Sequence, residues 1–120
     1  MSAAFRTRRV YEPGSDGDGS RVLVDRLWPR GISKEKAGID HWLKALAPSD
    51  ALRRAFHDNP DGWENFRAAY AAELAAPEAA EAVAGLRRLA AAGPVTLLYA
   101  ARDEQRNNAE ALRLWLRGAD

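Results

Sequence analysis

The segment Val95 to Ala101 (VTLLYAA) constrains the fold most. It is apolar at every position but Thr96, has the length of a strand, and lies between Gly93-Pro94 and the charged pair Arg102-Asp103. A strand that is apolar on both alternating faces must be covered on both, the pattern of a central parallel strand in a layered sheet. Arg21 to Leu27 (RVLVDRL) has the same two-sided character and is ended by Trp28-Pro29, because proline cannot donate to a sheet ladder. Phe5 to Tyr11 reads as a short first strand, followed by Pro13 to Ser20, a Gly and Asp cluster with turn chemistry; Asp16-Gly17-Asp18-Gly19 is assigned as a turn.

Helical signals fill the middle. Ser33 can cap a short turn through Lys36, and Ile39 to Leu46 is compatible with either a strand or another helical turn. Ser49 is an N-cap for a helix ending near Asp58. Asp61 and Glu64 have capping-box spacing, and Trp63, Phe66, Tyr70 and Leu74 recur at steps of three and four, which predicts an amphipathic helix over Asp61 to Ala75. Pro77 suits the first position of a helix carrying Val83, Leu86 and Leu89, stopped by Gly93-Pro94. Asp103 is the expected cap of a last helix bearing Ala109, Leu112 and Leu116 and ended by Gly118. Long helical crossovers favour parallel neighbours. The expectation is therefore one α/β domain over residues 1–120, a small layered fold with a mostly parallel sheet and helices on both faces.

Composition narrows the chemistry. Of 56 hydrophobic residues 25 are alanine, leaving 31 larger apolar side chains, enough for one small core. No run approaches the roughly 20 apolar residues that cross a bilayer, and Met1 to Val10 lacks the apolar stretch of a secretory signal, so a cytoplasmic protein without membrane contact is expected. The absence of cysteine excludes disulfides, thiol nucleophiles and thiolate metal sites. The net charge of +1 conceals blocks of opposite sign: +3 over Met1 to Val10, −3 over Tyr11 to Ser20, eight basic against four acidic residues over Arg21 to Arg54, and six acidic against one basic over Asp58 to Glu81.

In open parallel sheets ligands bind beyond the carboxyl ends of the strands, where loops lead into helices. Two segments fit: Asp25, Arg26, Trp28, Arg30 and Lys34 after the second strand, and Tyr99, Arg102, Asp103, Arg106 and Asn107 after the strand at Val95. If those strands are neighbours the loops converge. Arginine forks and a lysine can hold phosphate or carboxylate, Trp28 and Tyr99 offer surface to a planar ligand, and Asp25 and Asp103 are the candidate acid and base. Structural roles stand beside these readings: a buried ion pair for Asp25 and Arg26, a sheet plug for Trp28, a helix cap for Asp103.

Other motifs are incomplete. There is no dinucleotide or P-loop glycine pattern, Ser33 to Lys36 matches SxxK without its companion motifs, and the Asp16 to Gly19 segment lacks the further ligands of a calcium loop. His41 and His57 lie sixteen positions apart without a second ligand at zinc spacing. Asp25 and Asp103 could share Mg²⁺ only if the fold brought them together, so no metal is assigned and the cofactor is left unknown.

The stretches RVYEP (Arg9 to Pro13), RVLVDRLWPRGISKEK (Arg21 to Lys36), WLKALAPS (Trp42 to Ser49) and LLYAARDEQRNNA (Leu97 to Ala109) closely resemble the YeaO-like branch of the bacterial family called domain of unknown function 488. The similarity covers nearly the whole chain. It implies a small cytosolic α/β protein and no established reaction, substrate or cofactor. Its hallmark positions fall on Asp25, Arg26, Trp28, Pro29, Arg30, Gly31, Lys34, Tyr99, Asp103 and Asn107. The pattern often resembles Asn-His-Ala where this chain has Asn107-Asn108-Ala109, so Asn108 lacks an imidazole.

Three functions compete at this level. The first is a site for a small anionic molecule, phosphorylated ones included, bound by Arg26, Arg30, Lys34 and Arg102, with Asp25 or Asp103 available for proton transfer. The second is a nucleic-acid-binding or regulatory protein using Arg6, Arg8, Arg9 and the basic Arg21 to Arg54 segment, against which stand the near-neutral charge and the acidic helices. The third is a non-catalytic interaction subunit whose alanine-rich helices pack on another chain; the oligomeric state is open.

Overall fold

In the computed structural model, which describes residues 5–118, the elements run β1 (Phe5–Arg9), β2 (Ser20–Leu23), α1 (Lys34–Ala37), β3 (His41–Trp42), α2 (Asp50–Asp58), α3 (Trp63–Leu74), α4 (Pro77–Ala92), β4 (Val95–Tyr99) and α5 (Asn108–Gly118). Single 3₁₀ turns occupy Asp16–Asp18 and Lys44–Leu46. The strands form one sheet in the order β1-β4-β2-β3, and every pair is parallel. β4, the most apolar strand, sits between β1, with Phe5 opposite Val95 and Arg9 opposite Tyr99, and β2, with Ser20 opposite Val95 and Leu23 opposite Leu98.

All five residues of β4 are buried, and their alternation divides the core. Val95, Leu97 and Tyr99 join Val22 and Val24 beneath Phe66, Tyr70 and Leu74 of α3, Leu86 of α4, and Ala109, Leu112 and Leu116 of α5. Leu52 and Phe56 of α2 pack on the same cluster, where Phe56 stacks on Phe66 at 4.6 Å between ring centres. The opposite face is smaller: Leu98, Leu23, Val10 and Ala37 of α1, bordered by Trp28, Ile32, Ile39 and Trp42. The sheet thus carries helices on both faces, unequally, with four on one side and the single turn of α1 on the other. Each fully buried Leu contributes about 1.5–3 kcal/mol relative to exposure.

The second face also holds the most buried charge. Asp18 is 0% and Arg21 5% exposed. The Asp18 carboxylate accepts from Arg21 Nη1 at 2.6 Å, Arg8 Nη1 at 3.2 Å, and the Ser15 hydroxyl and N–H at 2.9 and 3.0 Å. Arg21 also donates to the carbonyls of Glu12, Ala37 and Gly38, so one guanidinium ties the loop before β2 to the C-terminus of α1. Burial pushes the Asp18 carboxyl up, but the Ser15 and Arg21 hydrogen bonds and the Arg8 charge outweigh it and hold it at about 2. The expected turn is present; its role as the anchor of this network is not visible locally.

Several boundaries differ from expectation. β1 and β2 are shorter than Phe5 to Tyr11 and Arg21 to Leu27. The backbone ladder of β2 ends with the bond from Val24 N–H to Leu98 O, after which the Asp25 side chain, not a carbonyl, accepts the Ala100 N–H. Ile39 to Leu46 holds both alternatives in succession, a two-residue strand and then a 3₁₀ turn. Ser49 caps α2 by accepting Leu52 N–H, as its position implies. The capping box of Asp61 and Glu64 does not form: α3 starts at Trp63 behind Gly62, with no side-chain cap. α5 starts at Asn108, and its cap is Asn107, whose Oδ1 accepts Glu110 N–H at 2.8 Å. Asp103 instead closes the preceding loop, accepting Gln105 and Arg106 N–H at 2.9 and 3.0 Å. No helix among the described residues is long and apolar enough to cross a membrane.

Candidate functional site

β2 and β4 are neighbours, so the two loops picked out by their chemistry emerge side by side at the carboxyl end of the sheet. Asp25 lies between them. Its Oδ2 accepts Ala100 N–H at 3.0 Å and its Oδ1 accepts Asn108 Nδ2 at 2.9 Å, while the same amide donates to Val24 O at 3.0 Å. Asp25 thereby joins β2, β4 and the first turn of α5. Burial raises its carboxyl above the ordinary value, against the lowering effect of the Asn108 and Ala100 bonds and of the Arg53 charge.

The other side of the rim is fixed by residues at and just beyond the end of β1. Arg9 donates through Nε to Ala101 O at 2.9 Å and through Nη2 to Ala100 O at 3.1 Å, and its guanidinium lies 5.0 Å over the ring of Tyr11. The Tyr11 hydroxyl donates to Arg30 O at 2.8 Å. Trp42 Nε1 donates to Asp25 O at 2.7 Å, Trp28 meets the Trp42 ring edge-on at 5.4 Å, and Trp28 Nε1 donates to Ile32 O at 2.7 Å. Three segments distant in sequence are therefore held together through backbone carbonyls, which fixes the loops without using the cations at their tips.

Those cations face solvent. Arg26, Arg30, Lys34 and Arg102 are all exposed. Arg26 Nε is 3.7 Å from Asp50 Oδ1 in a pair open to water, which is worth little. Arg30, Lys34 and Arg102 have no ion pair among the described residues. Asp103 is exposed, and the N–H groups of Gln105 and Arg106 hold its carboxyl below the usual range. Tyr99 and Asn107 stand apart from the rim surface, both 2% exposed: Tyr99 is part of the main core, and Asn107 caps α5 while donating to Asp103 O. Trp28 is half-buried against Trp42. Of the arginines considered for nucleic acid, Arg8 is engaged with Glu12 and Asp18, Arg9 with the rim carbonyls, and Arg6 lies 4.0 Å from Asp18.

Arg9, Tyr11, Trp42 and Asn108 organise this rim and escape a chemical search of the loops, because each acts through a backbone atom or carboxylate brought near only by the sheet order. Among the described residues no group of three His, Asp or Glu side chains could hold a metal ion.

Known proteins resemble this chain over nearly its whole length. The uncharacterised protein YeaO of Escherichia coli is 46% identical over 113 residues, covering 94% of this chain and 96% of that protein. Uncharacterised proteins of Mycobacterium bovis and Mycobacterium tuberculosis are 40% identical over 113 residues, again 94% of this chain and 93% of theirs. No solved structure is a significant match. Residues 4–119 match the family described as the inactive DUF488-N3 subclade. The chain belongs to that family, the YeaO-like group within domain of unknown function 488.

Proposed function

We propose that the chain is a non-catalytic binding protein for a small anionic ligand, of which a phosphorylated metabolite is the best fit, taken up at the carboxyl ends of β2 and β4. The observation that carries this reading is the set of exposed cations Arg30, Lys34 and Arg102, unpaired among the described residues, with Arg30 and Arg102 on loops whose backbones are tied down by Tyr11 and Arg9 and Lys34 at the start of α1. Arginine binds phosphate through paired N–H groups, and a fixed backbone lowers the entropy lost on binding.

Both candidate acids are read here as positioning groups. Asp25 accepts one hydrogen bond from the protein on each carboxylate oxygen, so proton transfer to a ligand would disturb a contact that shapes the rim, and the two N–H groups on Asp103 Oδ1 hold that carboxyl below the usual range and make it a weaker base. Asn108, where the family pattern often carries histidine, supplies an amide that cannot relay a proton at neutral pH. The description of the matched family as inactive supports the same reading.

The test is a thermal-shift series against inorganic phosphate, sugar phosphates and nucleotides. A ligand that binds only the folded chain, present at about 100 times its Kd, adds about 2.7 kcal/mol of stability. Arg30→Ala and Arg102→Ala should each abolish the shift while melting like the unliganded wild type. If none of these anions raises the melting temperature, or if both variants keep the full shift, the reading is wrong.

A further inference from the structure

Away from the rim, α4 and the segment 41–45 enclose an open groove lined by His41, Leu43 and Ala45 on one wall and by Glu78, Glu81, Gly85 and Arg88 of α4 on the other. We propose that this groove is a homodimer interface, in which α4 of a second copy lies antiparallel to α4 about a two-fold axis near Gly85.

Charge is the main argument. Glu81 is exposed and Arg88 lines the same groove, and neither has an ion-pair or hydrogen-bond partner among the described residues. They stand seven positions apart, two turns or about 10.5 Å along the helix, too far to neutralise each other. A uniformly basic partner would meet Arg88 and a uniformly acidic one would meet Glu81. A helix carrying the same two charges in reverse order satisfies both, and a second copy of α4 presents them that way. Antiparallel pairing about a point beside Gly85 sets Glu81 against the partner's Arg88 and Arg88 against the partner's Glu81, the reciprocal contact an isologous interface requires, and the exposed Glu78, about one turn before Glu81, flanks that same arginine of the second copy.

The shape is compatible. Gly85 and the half-buried Ala82 stand at the crossing point, where small side chains let two helix axes come within about 8 Å. Leu43 and Leu89, both half-buried in the monomer, border the groove and supply the apolar surface that the second copy would cover. None of the rim cations lines the groove, so this interface is independent of the proposed anion site.

Sedimentation equilibrium on the full chain tests the proposal. Wild type should self-associate reversibly. Glu81→Arg and Arg88→Glu, which each place like charges opposite one another twice per dimer, should weaken association by at least about tenfold. An equimolar mixture of the two variants should recover the affinity of wild type. The new positive charge of the Glu81→Arg copy then faces the new negative charge of the Arg88→Glu copy, while the native pair is kept on the remaining side. Gly85→Leu is a charge-neutral second probe: a Cβ at Gly85 meets only Arg88 Nη2, at 3.6 Å, so the monomer folds while the crossing is filled and the dimer weakens. A wild-type chain that stays monomeric, its groove left to a different protein, overturns the proposal. So does a dimer that none of the three substitutions weakens, or a pair of charge variants that fails to associate on mixing.

Discussion

Replacing Asp18 by Asn removes one negative charge from a site with no solvent and leaves the side-chain volume nearly unchanged. In the native chain that carboxylate accepts four hydrogen bonds, from Arg21, Arg8 and, twice, Ser15. The amide keeps one acceptor oxygen and turns an NH₂ toward donors. Arg21, 5% exposed, retains its three carbonyl partners but loses its counter-charge. Breaking one side of a buried pair costs about 3–5 kcal/mol, a large share of the roughly 5–15 kcal/mol that stabilises a domain of this size. With roughly 3–6 °C per kcal/mol for a chain of this length, Asp18→Asn should lower the melting temperature by about 10–30 °C. Arg67→Ala, which removes a water-exposed pair with Glu64 at 3.5 Å, should cost no more than about 1 kcal/mol. Circular dichroism melts measure both. The acid limb supplies a second readout: the folded carboxyl sits at about 2 and an unfolded one near 4, so its contribution is complete above about pH 4 and disappears as pH falls toward 2. The gap between wild type and variant should therefore close over that interval. An Asn variant melting within about 2 °C of wild type at neutral pH would refute the claim that this buried pair clasps the second face.

Three further outcomes follow from the structure. Gly19→Ala should destabilise by about 2–6 kcal/mol, since the residue has a positive φ of 64° and an added Cβ would fall 2.1 Å from Pro94 O, a backbone atom that cannot move aside; a denaturant titration measures the change. Asp25→Ala should cost about 1–3 kcal/mol by leaving Ala100 N–H without its acceptor and the Asn108 amide with Val24 O alone. Because burial raises the Asp25 carboxyl, its protonated form favours the folded state below the unfolded value and that stabilisation is lost as pH rises through the folded one. Asp25→Asn should accordingly melt with a weaker pH dependence in that range.

The parts of the fold that are legible in the sequence are those set by local rules. Ser49 before α2, Pro77 at the start of α4 and the apolar run of β4 each place an element without knowledge of its neighbours. Where two local solutions compete, non-local contacts decide. Asp103, with an acceptor at the right spacing, closes a loop, whereas Asn107, four residues later, caps α5 because its own amide is pinned by Asp103 O. At Asp61 and Glu64 the spacing of a capping box is present, yet the helix begins behind Gly62. The candidate site was legible to the same degree. The residue types in both loops are visible in the sequence, but the burial of Tyr99 and the bridging roles of Arg9 and Asn108 depend on strand order, which no residue within the loops encodes.

The position of β4 has a consequence for how the protein is made. Within the sheet β1 pairs with β4 alone, and β2 meets β3 over only two residues. A nascent chain that has not yet released Val95 from the ribosome therefore has no partner for β1 and almost no sheet. Four helices can form locally during that interval, but their apolar faces wait for the central strand. The polypeptide ahead of Val95 is thus expected to remain sticky until that strand has emerged.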